Sequence, residues 1–161
     1  MAEIAPPLEI ASAHRHFAPA CFNATWEMME HRGRSPGDDE AMIHLAHASL
    51  WHWTQRPDVT ETNLTVGYWL LSRVYALAHR PAPAHDAAVR SLAHAAGEDP
   101  FYRGYAHEAL ARAALLGGDR ATFAAHLAEA RFRAAEVQDE EDRTVLMTDL
   151  NQLVELSQRK R

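Results

Sequence analysis

The sequence predicts an all-α domain of about seven helices. Three observations carry this. Alanine, the strongest helix former, fills 31 of 161 positions. Strand formers are sparse, and no clear period-2 run of apolar residues occurs. Helix start and stop signals recur in order along the chain, separated by short breaks.

Each element has its own justification. The opening residues carry Pro6-Pro7 and little pattern, so residues 1–11 are expected to be loosely ordered. A first helix runs to about Glu30, with Pro19 marking either its start or a kink. Ser35, Pro36 and Asp38 suit the N-cap, N1 and N3 positions of a second helix to about Gln55, with acids near its positive end. Arg56-Pro57-Asp58 is a turn, and Thr60 caps a third helix over about 61–79. Arg80-Pro81-Ala82-Pro83 separates it from a fourth over about 82–96. Asp99-Pro100 opens a fifth over about 100–116. Gly117-Gly118 ends that helix and Asp119 caps a sixth over about 120–137. The acidic run at 139–142 suits the start of a seventh helix reaching about Ser157. No glycine or proline separates the sixth and seventh, so one continuous helix is an alternative. Residues 158–161 read as a basic tail, which leaves 12–157 as one helical domain.

Internal repetition decides between a bundle and a stacked array. LLSRVYALAHRPAPAHDAAVRSLAHA (70–95) and ALARAALLGGDRATFAAHLAEARFRA (109–134) are each a helix, a tight break and a second helix. With Leu71 set against Leu110, Ser72 meets Ala111, Tyr75 meets Ala114, Ala84 meets Phe123 and Ser91 meets Ala130. This pattern resembles the tetratricopeptide repeat, and LLGGDRATF is similar to that family's inter-helix turn. The separation is 39 residues, against about 34 in the family, and Ala114 stands where a tyrosine is usual. The segments FNATWEMME, AHASLWHW and WLLSRVYA also resemble small bacterial proteins of tetratricopeptide-like build. The resemblance implies a tetratricopeptide-like array of about seven antiparallel helices. It brings no mechanism with it.

Composition narrows the function classes. The net charge of −6 argues against nucleic acid as a partner. No run of about 18 apolar residues occurs, so no membrane span is expected. The first residues lack the basic and apolar regions of a signal peptide. Cys21 is the one cysteine, which suits a reducing, cytoplasmic setting.

Three clusters are candidate sites. In MIHLAHASLWHW (42–53) the helical period puts Glu40, His44, His47 and Trp51 on one face. Glu40, His44 and His47 could present a carboxylate and two imidazoles to one metal, completed by Glu27, Glu30 or His31. The rival expectation is a helix sandwiched between others, with His44, His47 and His52 mostly buried and neutral and with Leu50 and Trp53 inaccessible. In the third helix, Arg73 is the one charged residue between Thr62 and Ala78. Together with Asn63, Trp69, Tyr68 and Tyr75 it suggests a groove for a carboxylate or peptide, or else an ion pair to Glu27, Glu30 or Glu61. In DPFYRGYAHEALARA (99–113), His107 and Glu108 point about 100° apart, so they form no acid–base dyad and Glu108 is expected to be solvated. No phosphate loop, nucleophile elbow or CxxC motif occurs.

The leading expectation is a non-enzymatic helical-repeat module that binds a peptide, a partner protein or a small molecule, with no cofactor. Its contacts would come from His44, His47, Trp51, Asn63, Trp69 and Arg73. The alternative is a metal-dependent or small-molecule enzyme built on Glu40, His44 and His47. Self-association as a homodimer is a third expectation, since so few repeats leave apolar faces uncovered.

Overall fold

The computed structural model describes residues 9–159. Among them the chain is entirely helix and connection, with no strand. The helices are α1 (Ile10–Glu30), α2 (Pro36–Thr54), α3 (Glu61–Leu77), α4 (Pro81–His94), α5 (Pro100–Gly117), α6 (Arg120–Glu136) and α7 (Glu140–Arg159), with a single 3₁₀ turn after α4. The loose segment expected over 1–11 and the basic tail expected over 158–161 lie in part outside the described residues. No described helix is long and apolar enough to cross a membrane.

Local chemistry sets the boundaries. Ser35 with Asp38, and Thr60 with Asn63, form capping boxes at the starts of α2 and α3. Asp99 and Asp119 accept backbone N–H groups at the starts of α5 and α6. Gly118 ends α5 in the left-handed conformation, at φ 81°, which glycine adopts without a Cβ clash. Helices α6 and α7 are separate although neither glycine nor proline divides them. Val137 is extended and buried, the Asp139 carboxylate caps the backbone N–H groups of Glu141 and Asp142, and Arg143 donates to the Val137 carbonyl at 2.8 Å. Capping side chains there outcompete continued helix.

The packing is sequential. α1 with α2, α3 with α4, and α5 with α6 form the most extensive contacts; α2 meets α3 and α4 meets α5. α3 also reaches α5, and α5 reaches α7. Small residues let the paired helices approach. Ser49 of α2 donates to the Ala18 carbonyl of α1 at 2.8 Å, and Ser91 of α4 donates to the Thr65 carbonyl of α3 at 2.9 Å. In the α5–α6 pair the same place is taken by Gly104 beside Ala130. The core divides into a cluster under α2 and α3, built on Met42, Leu70 and Val74, a second under α5, α6 and α7, built on Phe123, Leu146, Leu150 and Leu153, and a small third between α4 and α5, of Ala88, Ala109 and Leu110.

Candidate functional site

Alternate helices supply one continuous surface. Phe22 and Trp26 come from α1, Val66, Trp69 and Arg73 from α3, Phe101 and Tyr105 from α5, and Val145 and Asp149 from α7. Together they line a cavity of about 450 Å³. Each helix contributes residues three or four apart, which places them one turn apart on one helix face. A smaller hollow of about 130 Å³, shared through Phe22 and Val66, continues past Asn63 to Trp53.

The walls are aromatic. Trp26 and Trp69 stack at 5.7 Å between ring centres, Trp69 meets Tyr105 edge-on at 5.5 Å, and Tyr105 meets Phe101 edge-on at 5.0 Å. These are favourable geometries for rings with opposed face and edge charge. The chain of contacts runs from α1 to α5 and fixes the spacing of the helices that carry it.

A charged cluster lies behind the Trp69 wall. Glu108 is 1% exposed. Its carboxylate accepts from the Trp69 indole N–H at 3.1 Å and from the Arg112 guanidinium at Nε (2.8 Å) and at a terminal nitrogen. Arg73 approaches the same carboxylate at 3.7 Å, beyond hydrogen-bonding range. Two arginines therefore converge on one buried carboxylate whose two oxygens are already accepting. Burial, and next the positive charge of Arg112, pull Arg73 below the ordinary guanidinium range. At the α7 side, the Tyr105 hydroxyl donates to Asp149 at 2.8 Å. Burial, reinforced by that carboxylate, pushes the phenol well above its ordinary range, so it remains a donor.

The sequence candidates separate into two groups. Trp69 and Arg73 are brought together in the cavity, and Asn63 lines its smaller extension while capping α3. His44, His47 and Trp51 lie elsewhere, on an exposed face of α2, with Trp51 55% exposed. The expectation that α2 is sandwiched is therefore corrected. Its apolar side, carrying Met42, Ile43, Ala46, Ser49 and Leu50, is buried, and the histidine face is not. His52 and Trp53 are half-buried, the latter beneath the Arg56 guanidinium. Glu40 pairs with Arg80, and the His47 ring bonds the Tyr75 hydroxyl at 2.7 Å. Among the described residues no three histidine, cysteine, aspartate or glutamate side chains cluster as metal ligands.

Two further expectations are corrected. Arg73 faces Glu108 rather than Glu27, Glu30 or Glu61, and Glu108 is buried rather than solvated. An arginine one turn after Glu108 was the available signal. It shows an intrahelical pair, but not that α3 covers the pair.

Comparisons with family models, curated proteins and solved structures find no match to the chain.

Proposed function

We propose that this protein is a non-enzymatic binding module, a tetratricopeptide-like array of antiparallel helix pairs whose alternate helices form a ligand groove. The carrying observation is the cavity to which four helices each contribute, with Trp26, Trp69 and Tyr105 as its walls and Arg73 and Asp149 at its polar points. A concave apolar hollow with few, converging polar groups is the usual form of a ligand site. Stacked helical hairpins generate such surfaces along their inner helices. A cytoplasmic setting, suggested by the lone Cys21, belongs to the same proposal.

A thermal-shift screen of small organic molecules and short peptides tests this reading. Ligands that raise the melting temperature of the wild type should do so far less in Trp26→Ala, which removes a half-open wall and leaves the core intact. Hits that stabilise both proteins equally, or no hits, would remove the groove as the site.

Self-association has its own support. Phe17 (41% exposed) and Trp51 (55% exposed) lie with the paired His14 and His52 on the outer side of α1 and α2. Sedimentation of the wild type against Trp51→Glu measures it: a dimer that the variant abolishes supports the reading, and a monomeric wild type ends it.

A further inference from the structure

The geometry points to a ligand class for this groove: we infer that it takes a small, flat aromatic monocarboxylate, with the rings against Trp26 and Trp69 and the carboxylate on Arg73. The inference rests on the groove reading above and adds the chemistry of the occupant.

The argument begins with unmatched donors. Glu108 is the buried counter-charge of this region, yet its oxygens already accept from Trp69 and from Arg112. Arg73 stands 3.7 Å from it and donates a hydrogen bond to no acceptor among the described residues. Its side chain is 23% exposed and is one of those that line the cavity. A guanidinium held in an aromatic hollow without a hydrogen-bond acceptor is a receptor for a planar anion, which it can bind with two parallel N–H···O contacts. Glu108 offsets the Coulomb repulsion between the two arginines and leaves Arg73's fork free.

The other polar group narrows the class further. Asp149 lines the same cavity with one oxygen accepting from Tyr105. Its charge also acts on Arg73, so it weakens the hold on any anion there and opposes each further negative charge more, which favours a monoanion over a dicarboxylate or a phosphate. The remaining lining is flat and apolar, and Trp26 and Trp69 form a ring-stacking wall. A cavity of about 450 Å³ is at the small end of the range for organic ligands. It contains no asparagine, glutamine, serine or threonine to pair with a peptide main chain, and the Phe101 N–H at its rim is already taken by the Asp99 carboxylate. A free small molecule therefore fits it better than an extended peptide.

Calorimetric titration of the full chain with 2-naphthoate, neutral 2-naphthamide and cationic 2-naphthylmethylamine tests the inference. The carboxylate should bind at least about tenfold tighter than the amide, the difference expected for a charge-assisted pair. Arg73→Gln should reduce naphthoate affinity by about the same factor while leaving the amide unchanged, and Trp26→Ala should weaken both. Asp149→Asn should tighten naphthoate. Equal binding of carboxylate and amide, with both sensitive to Trp26→Ala, would overturn the anion assignment and leave the groove reading standing. Preference for the amine, or tighter binding of a pentapeptide ending in phenylalanine, would overturn the assigned class. Binding of none of the three ring compounds would end the inference, while the library screen with Trp26→Ala judges the groove separately.

Discussion

Glu108 shows how much one side chain can hold. It is buried, and it joins α3 to α5 through Trp69 while neutralising Arg112 and facing Arg73. Removing its charge leaves two guanidiniums close together with no carboxylate between them, and breaking a buried ion pair from one side is strongly destabilising. Glu108→Gln should lower the unfolding free energy in urea by about 3 kcal/mol. A loss below about 1 kcal/mol would mean that the arginines swing out to solvent and that the cluster contributes little. Its role was not legible in the sequence, because burial of a glutamate depends on what covers it. The covering residue is Trp69, which lies 39 positions earlier. That is the offset at which the two helix pairs align, so Trp69 and Glu108 occupy corresponding places on neighbouring inner helices. Arg73, by contrast, stood out as the one charge between Thr62 and Ala78, and it does line the cavity.

At the scale of the element, helix ends were written plainly in the sequence and helix faces were not. Capping residues act through bonds to atoms two or three positions away, as with Ser35, Thr60, Asp99 and Asp119. The exposed face of α2 depended instead on which neighbours reach it, and nothing covers His44 or His47 as fully as their aromatic company suggested. The joint between α5, α6 and α7 is closely packed at Gly104. A Cβ on Gly104 would sit 2.5 Å from Leu146 Cδ2, 3.6 Å from the Arg133 Cβ and 3.7 Å from the Ala130 carbonyl oxygen. Leu146 is fully buried and has no room to withdraw. A methyl there gains helix propensity of about 1 kcal/mol over glycine, but a branched side chain must push α6 and α7 away. Gly104→Val should therefore destabilise the protein by about 2–3 kcal/mol, measured by urea denaturation, and should expose amides of α7 to hydrogen exchange first. An unchanged midpoint would show that the two helices are separated more easily than their packing implies.

Across the whole molecule, histidines at the helix joints give the array a common response to acid. His52 of α2 bonds His14 of α1, His47 of α2 bonds Tyr75 of α3, and His107 of α5 bonds His126 of α6 at 3.1 Å. Burial is the leading cause that lowers His47, His52, His107 and His126 below the ordinary imidazole range. His44, His14, His126 and His85 respectively add positive charge against them. Glu129 opposes the shift at His107 and His126, while Arg133 and Arg103 deepen it at His107. A histidine whose folded pKa is depressed binds its proton more readily in the unfolded chain. Its contribution to stability is complete above the unfolded value of about 6.5, and it is lost as pH falls from there toward the lower folded value. His47 is exposed enough for solvent to screen it, so the α5–α6 pair and His52 should carry most of the effect. The melting temperature should drop by a few degrees between pH 7.5 and 5.5, at about 2–4 °C per kcal/mol for a chain of this size. Replacing His107 with glutamine should reduce that drop. Because Glu40 is engaged by Arg80 and His47 by Tyr75, EDTA at pH 7.5 should leave the melting temperature unchanged. A large chelator effect would instead mean that a bound metal reorganises α2 and that the three side chains are drawn together by it. An acid response undiminished in His107→Gln would move its origin from the α5–α6 joint to the carboxylates.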